Sequence, residues 1–276
     1  MARMLRIGVA QLRSGVEPAA NRAHAMPMIR EAAAAGARIV FTPENTHRLD
    51  KDRPRMLAAV ENEDLAAELK AWGRIAAEHG IWLSLGSMAV WAGEGRVYNR
   101  SVLFAPDGKP AALYDKINLF DVELGGGETY RESATVAPGT KAVLTEGPMG
   151  AKIGLTICYD LRFAGLFQAL AVAGAEVIAV PAAFTRPTGE AHWETLLRAR
   201  AIETGAYIVA AAQGGTHEDG RATWGHSLVI DPWGKIIAAK DDDLPGLCVA
   251  NLDLDAVGAA RDKIPAWQGG RGFTGP

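Results

Sequence analysis

Residues 152–181 read KIGLTICYDLRFAGLFQALAVAGAEVIAVP. An apolar run from Lys152 to Cys158 gives way to a polar break at Tyr159 and Asp160. A helix-forming stretch follows from Leu161 to Gly174, and a second apolar run ends at Pro181. Short apolar runs with no polar alternate face fit strands that are covered on both sides. The segment between them fits a helix stopped by glycine.

Outward from this unit the same order occurs twice. On the C-terminal side, EAHWETLLRARAIETG reads as a helix and AYIVAAAQ as a strand. SLVIDPWGKIIAAK reads as a hairpin around Asp231-Pro232-Trp233-Gly234. In the N-terminal half, Leu5–Leu12 alternates as a strand, and Asn21–Gly36 reads as a glycine-capped helix interrupted by Pro27. ARIVFTPEN is a short buried strand ending at Pro43. NEDLAAELKAWGRIAAEHG is an amphipathic helix with Asn62 as its cap and Gly80 as its stop. IWLSLGS then gives a strand, and SVLFAPDGKPAALYDK a hairpin around Pro106-Asp107-Gly108. Each half runs strand, helix, strand, helix, strand, hairpin. The alternation predicts an α/β protein made of two similar sheets packed face to face with helices outside. The hairpins break the strict alternation that a barrel needs. Residues 1–276 are expected to form one domain.

Composition narrows the function. The chain has 276 residues, a formal net charge of -3 and 49% hydrophobic residues, enough for a large core. That charge balance gives no reason to expect a nucleic acid or membrane partner. No run approaches the ~18 apolar residues of a membrane span. The N-terminal stretch is interrupted by Arg13 and resembles a strand more than a signal peptide. Two cysteines, Cys158 and Cys248, fit a reducing, cytoplasmic setting better than a disulfide framework. No HExxH or CxxC pattern suggests a metal, no glycine-rich phosphate loop follows a strand, and Gly125-Gly126-Gly127 reads as a flexible loop.

Ligands in open α/β sheets bind at the carboxyl ends of strands. Glu44, Lys116 and Cys158 each follow a predicted strand, after IVFTP, AALYD and IGLTI. A cysteine on a strand-to-helix turn is presented like the serine of a nucleophile elbow, and a helix N-terminus favours its thiolate. A half-buried carboxylate suits a general base, and an ammonium suits a developing oxyanion. Taken singly, each has an ordinary reading as well. Cysteine is often a buried spacer, Glu44 would serve as a surface ion pair or turn cap, and Lys116 as a solvated lysine. Glu132, in YRESATVAPG, would be a plain loop acid. Cys248 lies mid-strand in GLCVANLD and reads as core. None of the six histidines stands out as a partner for Cys158.

Taken together, FTPEN, YDKINLFDVEL and GLTICYDLRF resemble, in that order, the glutamate, lysine and cysteine motifs of the nitrilase superfamily of carbon–nitrogen hydrolases. The resemblance spans nearly the whole chain. It implies a four-layer αββα sandwich with internal pseudo-symmetry. It implies Cys158 as nucleophile, Glu44 as general base, Lys116 as oxyanion stabiliser and Glu132 as a second active-site carboxylate. The Tyr159 amide would complete the oxyanion hole, and no metal or organic cofactor is required. LFDVELGGGETYRES, PAAFTRPTGEAHWETLLRARAIE and GHSLVIDPWG are similar to the branch that contains omega-amidase and deaminated glutathione amidase. The implied substrate is thus a small-molecule amide bearing a carboxylate, and the implied assembly a homodimer or larger homo-oligomer. Arg162 is a candidate for the substrate carboxylate, or else a structural ion pair with Asp160. Phe184 and Thr185 are candidates to line the pocket, or else core and helix cap. The competing functions are a nitrilase, an N-carbamoyl hydrolase, and a catalytically silent binding protein on the same scaffold.

Overall fold

The computed structural model describes residues 3–125, 128–270, 272 and 274–275. The first half comprises β1 (Met4–Gln11), α1 (Pro18–Ala34), β2 (Ile39–Phe41), α2 (Arg53–Glu61), α3 (Leu65–His79), β3 (Trp82–Gly93), β4 (Arg96–Phe104) and β5 (Pro110–Asp115). A small hairpin, β6 (Asp121–Gly125) and β7 (Glu128–Arg131), leads to the second half. There follow β8 (Val143–Glu146), β9 (Lys152–Leu155), α4 (Ala164–Val172), β10 (Val177–Ala179), α5 (Arg186–Thr204) and β11 (Tyr207–Ala210). The hairpin β12 (Gly214–Thr216) and β13 (Ala222–Trp224) precedes β14 (Leu228–Ile230), β15 (Ile236–Ala239), β16 (Gly246–Asp253) and α6 (Asp255–Lys263). Of the glycine run read as a loop, Gly126 and Gly127 lie outside the described residues.

Two six-stranded sheets carry the duplication, in the orders β16-β1-β2-β3-β4-β5 and β15-β14-β11-β10-β9-β8. In the first, β1, β2 and β3 are parallel and β4 and β5 antiparallel. In the second, β9, β10 and β11 are parallel and β14 and β15 antiparallel. Each sheet gains an antiparallel edge strand beside its first strand, β16 next to β1 and β8 next to β9.

Period-two alternation sorts β1 between two cores. Leu5, Ile7 and Val9 share a core with Ile153 and Leu155 of β9, between the sheets. Ala10, with Val40 and Leu83, packs instead with Ile29 and Ala32 of α1 and Trp72 and Ile75 of α3. Phe167 and Leu170 of α4 and Trp193 and Leu197 of α5 cover the second sheet. The result is a four-layer αββα sandwich. A glycine sits at the centre of the first strand in both halves. A Cβ at Gly8 would lie 2.6 Å from Ala32 Cβ, and one at Gly154 would lie 3.0 Å from Leu170 Cδ1. Both helices therefore approach their strand closely.

The structure corrects several local expectations. Asn62 ends α2 and does not cap α3, whose cap is Asp64, accepting from the Ala67 amide at 3.0 Å. The sequence reading missed α2, and only Val60 of that helix is buried, so it carries little apolar periodicity. Helix α1 begins earlier than expected, at Pro18, where proline's missing N–H costs nothing. The segment read as a helix from Leu161 splits into a 3₁₀ turn, Cys158–Arg162, and α4 from Ala164. Gly80 stops α3 in the left-handed conformation, as expected.

Candidate active site

Both sheets deliver the candidate residues. Glu44 lies three residues beyond β2, Lys116 directly after β5, and Cys158 in the turn after β9. All three are buried, at 3%, 2% and 7% exposure. The Glu44 loop is pinned from beneath. Thr46 Oγ1 donates to Pro43 O at 2.6 Å, the Asn45 amide to Ser87 Oγ at 2.7 Å, and Gln213 Nε2 to Glu44 O at 3.0 Å. Cys158 adopts φ 49°, in the left-handed region that disfavours side chains. Its amide is spent on Pro181 O at 2.8 Å. A strained cysteine at a sharp turn after a strand projects its sulfur away from the sheet.

The polar groups converge. Lys116 Nζ donates to Glu44 Oε1 at 2.9 Å and to Glu132 Oε1 and Oε2 at 3.0 and 2.9 Å. Glu44 Oε1 also accepts from Asn99 Nδ2 at 2.9 Å, and Oε2 from the Ala183 amide at 2.9 Å. The Phe120 amide fixes Glu132 Oε2 at 2.6 Å. The Cys158 thiol lies against the Glu44 carboxylate, near enough for each to shift the other's ionisation.

These contacts set the charges. Burial disfavours ionisation of Glu44, but the Lys116 charge and the hydrogen bonds from Cys158, Lys116 and Asn99 outweigh it and hold the carboxyl below its ordinary range. Burial and then the negative Glu44 push the Cys158 thiol well above its usual value, against the pull of Lys116. Burial opposes the Lys116 ammonium, yet Glu132 and Glu44 raise it well above its usual value. The resting site is thus a neutral thiol beside a carboxylate and an ammonium. Cys158 opens a five-residue 3₁₀ turn, so the helix N-terminus expected directly behind it lies further on, at Ala164.

A cavity of about 710 Å³ opens on this cluster, lined by Glu44, Lys116, Glu132 and Cys158, with Tyr159, Phe184 and Thr185 also in its wall. Arg162 is not among the described residues that line it. Its guanidinium contacts His192 Nδ1 at 3.3 Å and lies over the Tyr159 and Phe184 rings at 5.8 and 5.5 Å. Nor is it the partner of Asp160. That buried carboxylate accepts from Tyr114 Oη at 2.6 Å, the Ile157 amide at 2.9 Å, and Asn118 N and Nδ2 at 2.9 and 2.8 Å. No histidine is among the described residues lining the cavity.

Residues 6–262 match the carbon-nitrogen hydrolase family. The chain belongs to that family. The hydrolase is 41% identical to the deaminated glutathione amidase of Bos taurus over 268 residues, 95% of this chain and 80% of that protein. It superposes on the C. elegans NitFhit protein with a TM-score of 0.89 at 35% identity, over 98% of this chain and 66% of that one. A mutant amidase from Nesterenkonia sp. AN1, solved after Michael addition of acrylamide at its active-site cysteine, gives 0.79 at 26% identity over 95% of this chain and 98% of that one. The hydrolase is therefore an amide-hydrolysing enzyme on a nitrilase-type sandwich.

Sequence reading missed Asn99, the Ala183 amide and the four-way acceptor Asp160. For Asp160 a signal was present: an acid two residues past the cysteine, in an otherwise apolar stretch, has to be paired if it is buried. Among the described residues, no helix of the hydrolase is long and apolar enough to cross a membrane.

Proposed function

We propose that the hydrolase is a cysteine amidase acting on a small amide that carries a carboxylate, with deaminated glutathione as the first substrate to test. The observation that carries this proposal is the buried cluster in which the Lys116 ammonium sits 2.9 Å from Glu44 and 2.9 Å from Glu132, with Cys158 in the same cavity wall.

Glu44 takes the thiol proton as Cys158 sulfur attacks the amide carbon. The carbonyl oxygen becomes an oxyanion, held by Lys116 Nζ and the Tyr159 amide. Losing one such donor typically costs about 10²–10³ in rate. Glu132 and the Phe120 amide behind it keep Lys116 aimed. Glu44 passes its proton to the departing nitrogen, the C–N bond breaks, and a thioester on Cys158 remains. Water then gives its proton to Glu44 and adds to the thioester carbon. The C–S bond breaks, the sulfur recovers its proton, and the carboxylic acid leaves.

Phe184 and Thr185 would shape the pocket wall. The hydrolase is further proposed to act as one domain, since residues of both sheets share a single core. Self-association fits α4 and its neighbours, where Phe163, Val172, Ile202 and Trp233 are 42–57% exposed. Two free cysteines fit the reducing cytoplasm.

The test is turnover of deaminated glutathione by the wild type and by Cys158→Ala, with mass spectrometry of the intact chain. The wild type should release product and carry a transient acyl mass on Cys158. The variant should lose at least roughly a thousand-fold in kcat and keep its Tm. Undiminished turnover by the variant would falsify the assignment, as would a wild type inert toward every amide. Sedimentation of the same protein should show a species larger than 29.2 kDa.

A further inference from the structure

The cavity is cationic in a chain that is not. Seven cationic side chains and three carboxylates line it, while the whole chain has a formal net charge of -3. Most of these charges are matched. Lys116 is shared by Glu44 and Glu132, Arg131 pairs with Glu123, Arg186 with Asp243 and Arg221 with Asp219. The lining carboxylate Asp50 is taken by Arg55.

The cations left without an ion pair among the described residues, Lys51 and Arg53, come from one short segment just past Glu44, which also carries the ion-paired Arg48. Lys51 and Arg53 are exposed in the cavity wall. Arg48, four residues after Glu44, is different in kind. Its side chain is only 9% exposed, and two of its nitrogens are placed, one on Val16 O at 2.8 Å and one on Glu63 Oε1 at 2.9 Å. Its Nε is buried and has no hydrogen-bond partner. A buried donor without an acceptor is costly, and natural structures keep one where something else supplies the acceptor.

We infer that Arg48, Lys51 and Arg53 form an anion subsite that takes a carboxylate of the substrate remote from the scissile amide. Naming that anion as part of the substrate rests on the amidase proposal above. The cations themselves do not. Arg48, ion-paired to Glu63 and held by Val16 O, places an immobilised guanidinium in the same wall. Lys51 and Arg53, solvated and unpaired, supply the attraction and the screening-sensitive share of the binding. A carboxylate has lone pairs enough for all three, and guanidinium suits its geometry. The cavity's volume of about 710 Å³ also leaves room for a substrate longer than a simple aliphatic amide.

The experiment compares the wild type with Lys51→Gln/Arg53→Gln, two exposed positions that should leave folding intact, checked by Tm. kcat/KM is measured for deaminated glutathione and for neutral butyramide, at low and high ionic strength. The ratio of anionic to neutral specificity should fall ten-fold or more in the variant, mainly through KM of the anionic substrate. The salt dependence of that KM should weaken with it. A ratio within two-fold of the wild type overturns the subsite. A second arm needs no turnover: calorimetric binding of glutarate to Cys158→Ala, with and without the two further substitutions. A ten-fold loss of affinity supports the subsite, and equal binding or no binding in both proteins overturns it. A wild type that cleaves neither amide refutes the amidase proposal, and the glutarate arm then still decides the subsite.

Discussion

At the scale of one residue, Glu44 as the proposed base would have two tasks that pull apart: to stay ionised while buried, and to accept a proton during catalysis. Asn99 bears on this balance. Its Nδ2 donates to Glu44 Oε1 at 2.9 Å, and its Oδ1 is buried without a partner, so the carboxylate dictates which way the amide faces. Asn99→Ala removes a donor to the charged form, and the Glu44 pKa should rise. The proposed base works only when ionised, so activity should be lost as pH falls through that pKa. The acidic limb of kcat/KM, which in the wild type should lie below the ordinary carboxylate value, is expected to move to higher pH. The stability that ionised Glu44 contributes, present above the unfolded carboxylate pKa and lost below the folded one, shrinks in the same variant. A pH profile that keeps its acid limb while kcat merely drops would show Asn99 to be a packing residue. Glu44, Lys116 and Cys158 were legible in sequence because each is a chemically conspicuous residue just past an apolar strand. Asn99 was not, because an asparagine inside RVYNRSVLF gains meaning only when β4 lies beside the Glu44 loop.

Elements differ in how far local pattern determines them. The parallel strands and α3 follow their apolar runs and caps, whereas the cysteine turn does not: the helix expected from Leu161 starts only at Ala164, behind a five-residue 3₁₀ turn, Cys158–Arg162. Asp160 explains the difference. It accepts four hydrogen bonds from Tyr114 at the end of β5, Asn118 in the lysine loop, and the Ile157 amide. One buried carboxylate thereby ties the cysteine turn of the second sheet to the lysine loop of the first. The same contacts raise the Tyr114 phenol, by burial and then by the Asp160 charge, so it stays a donor at any ordinary pH. Asp160→Ala would leave those donors buried without an acceptor and should cost roughly 3–5 kcal/mol. It should also separate Cys158 from Lys116, so kcat falls with stability. Urea unfolding monitored by far-UV CD measures the first effect. A loss below about 1 kcal/mol would mean that the two loops are held by something else.

Across the whole molecule, the repeated order of strands and helices was readable because both halves bury the same pattern. The strands that finish each sheet were not, since β8 precedes its half and β16 follows the other, and no local signal says which edge they join. The repeat is also unequal in tightness. Gly8 and Gly154 occupy matching places, opposite Val40 and Ile178 in their parallel partners. Under α1 the obstacle to a side chain is Ala32 Cβ at 2.6 Å, which cannot move without its helix. Under α4 it is Leu170 Cδ1 at 3.0 Å, the end of a side chain with other rotamers. Gly8→Ala should therefore destabilise by about 1–3 kcal/mol as an overpacked site. Gly154→Ala should cost under about 1 kcal/mol, because relaxation of Leu170 combines with the lower entropy of the unfolded alanine chain. Urea midpoints at unchanged slope test the order. If Gly154→Ala proved the more damaging, α4 and not α1 would be the helix seated hardest on its sheet.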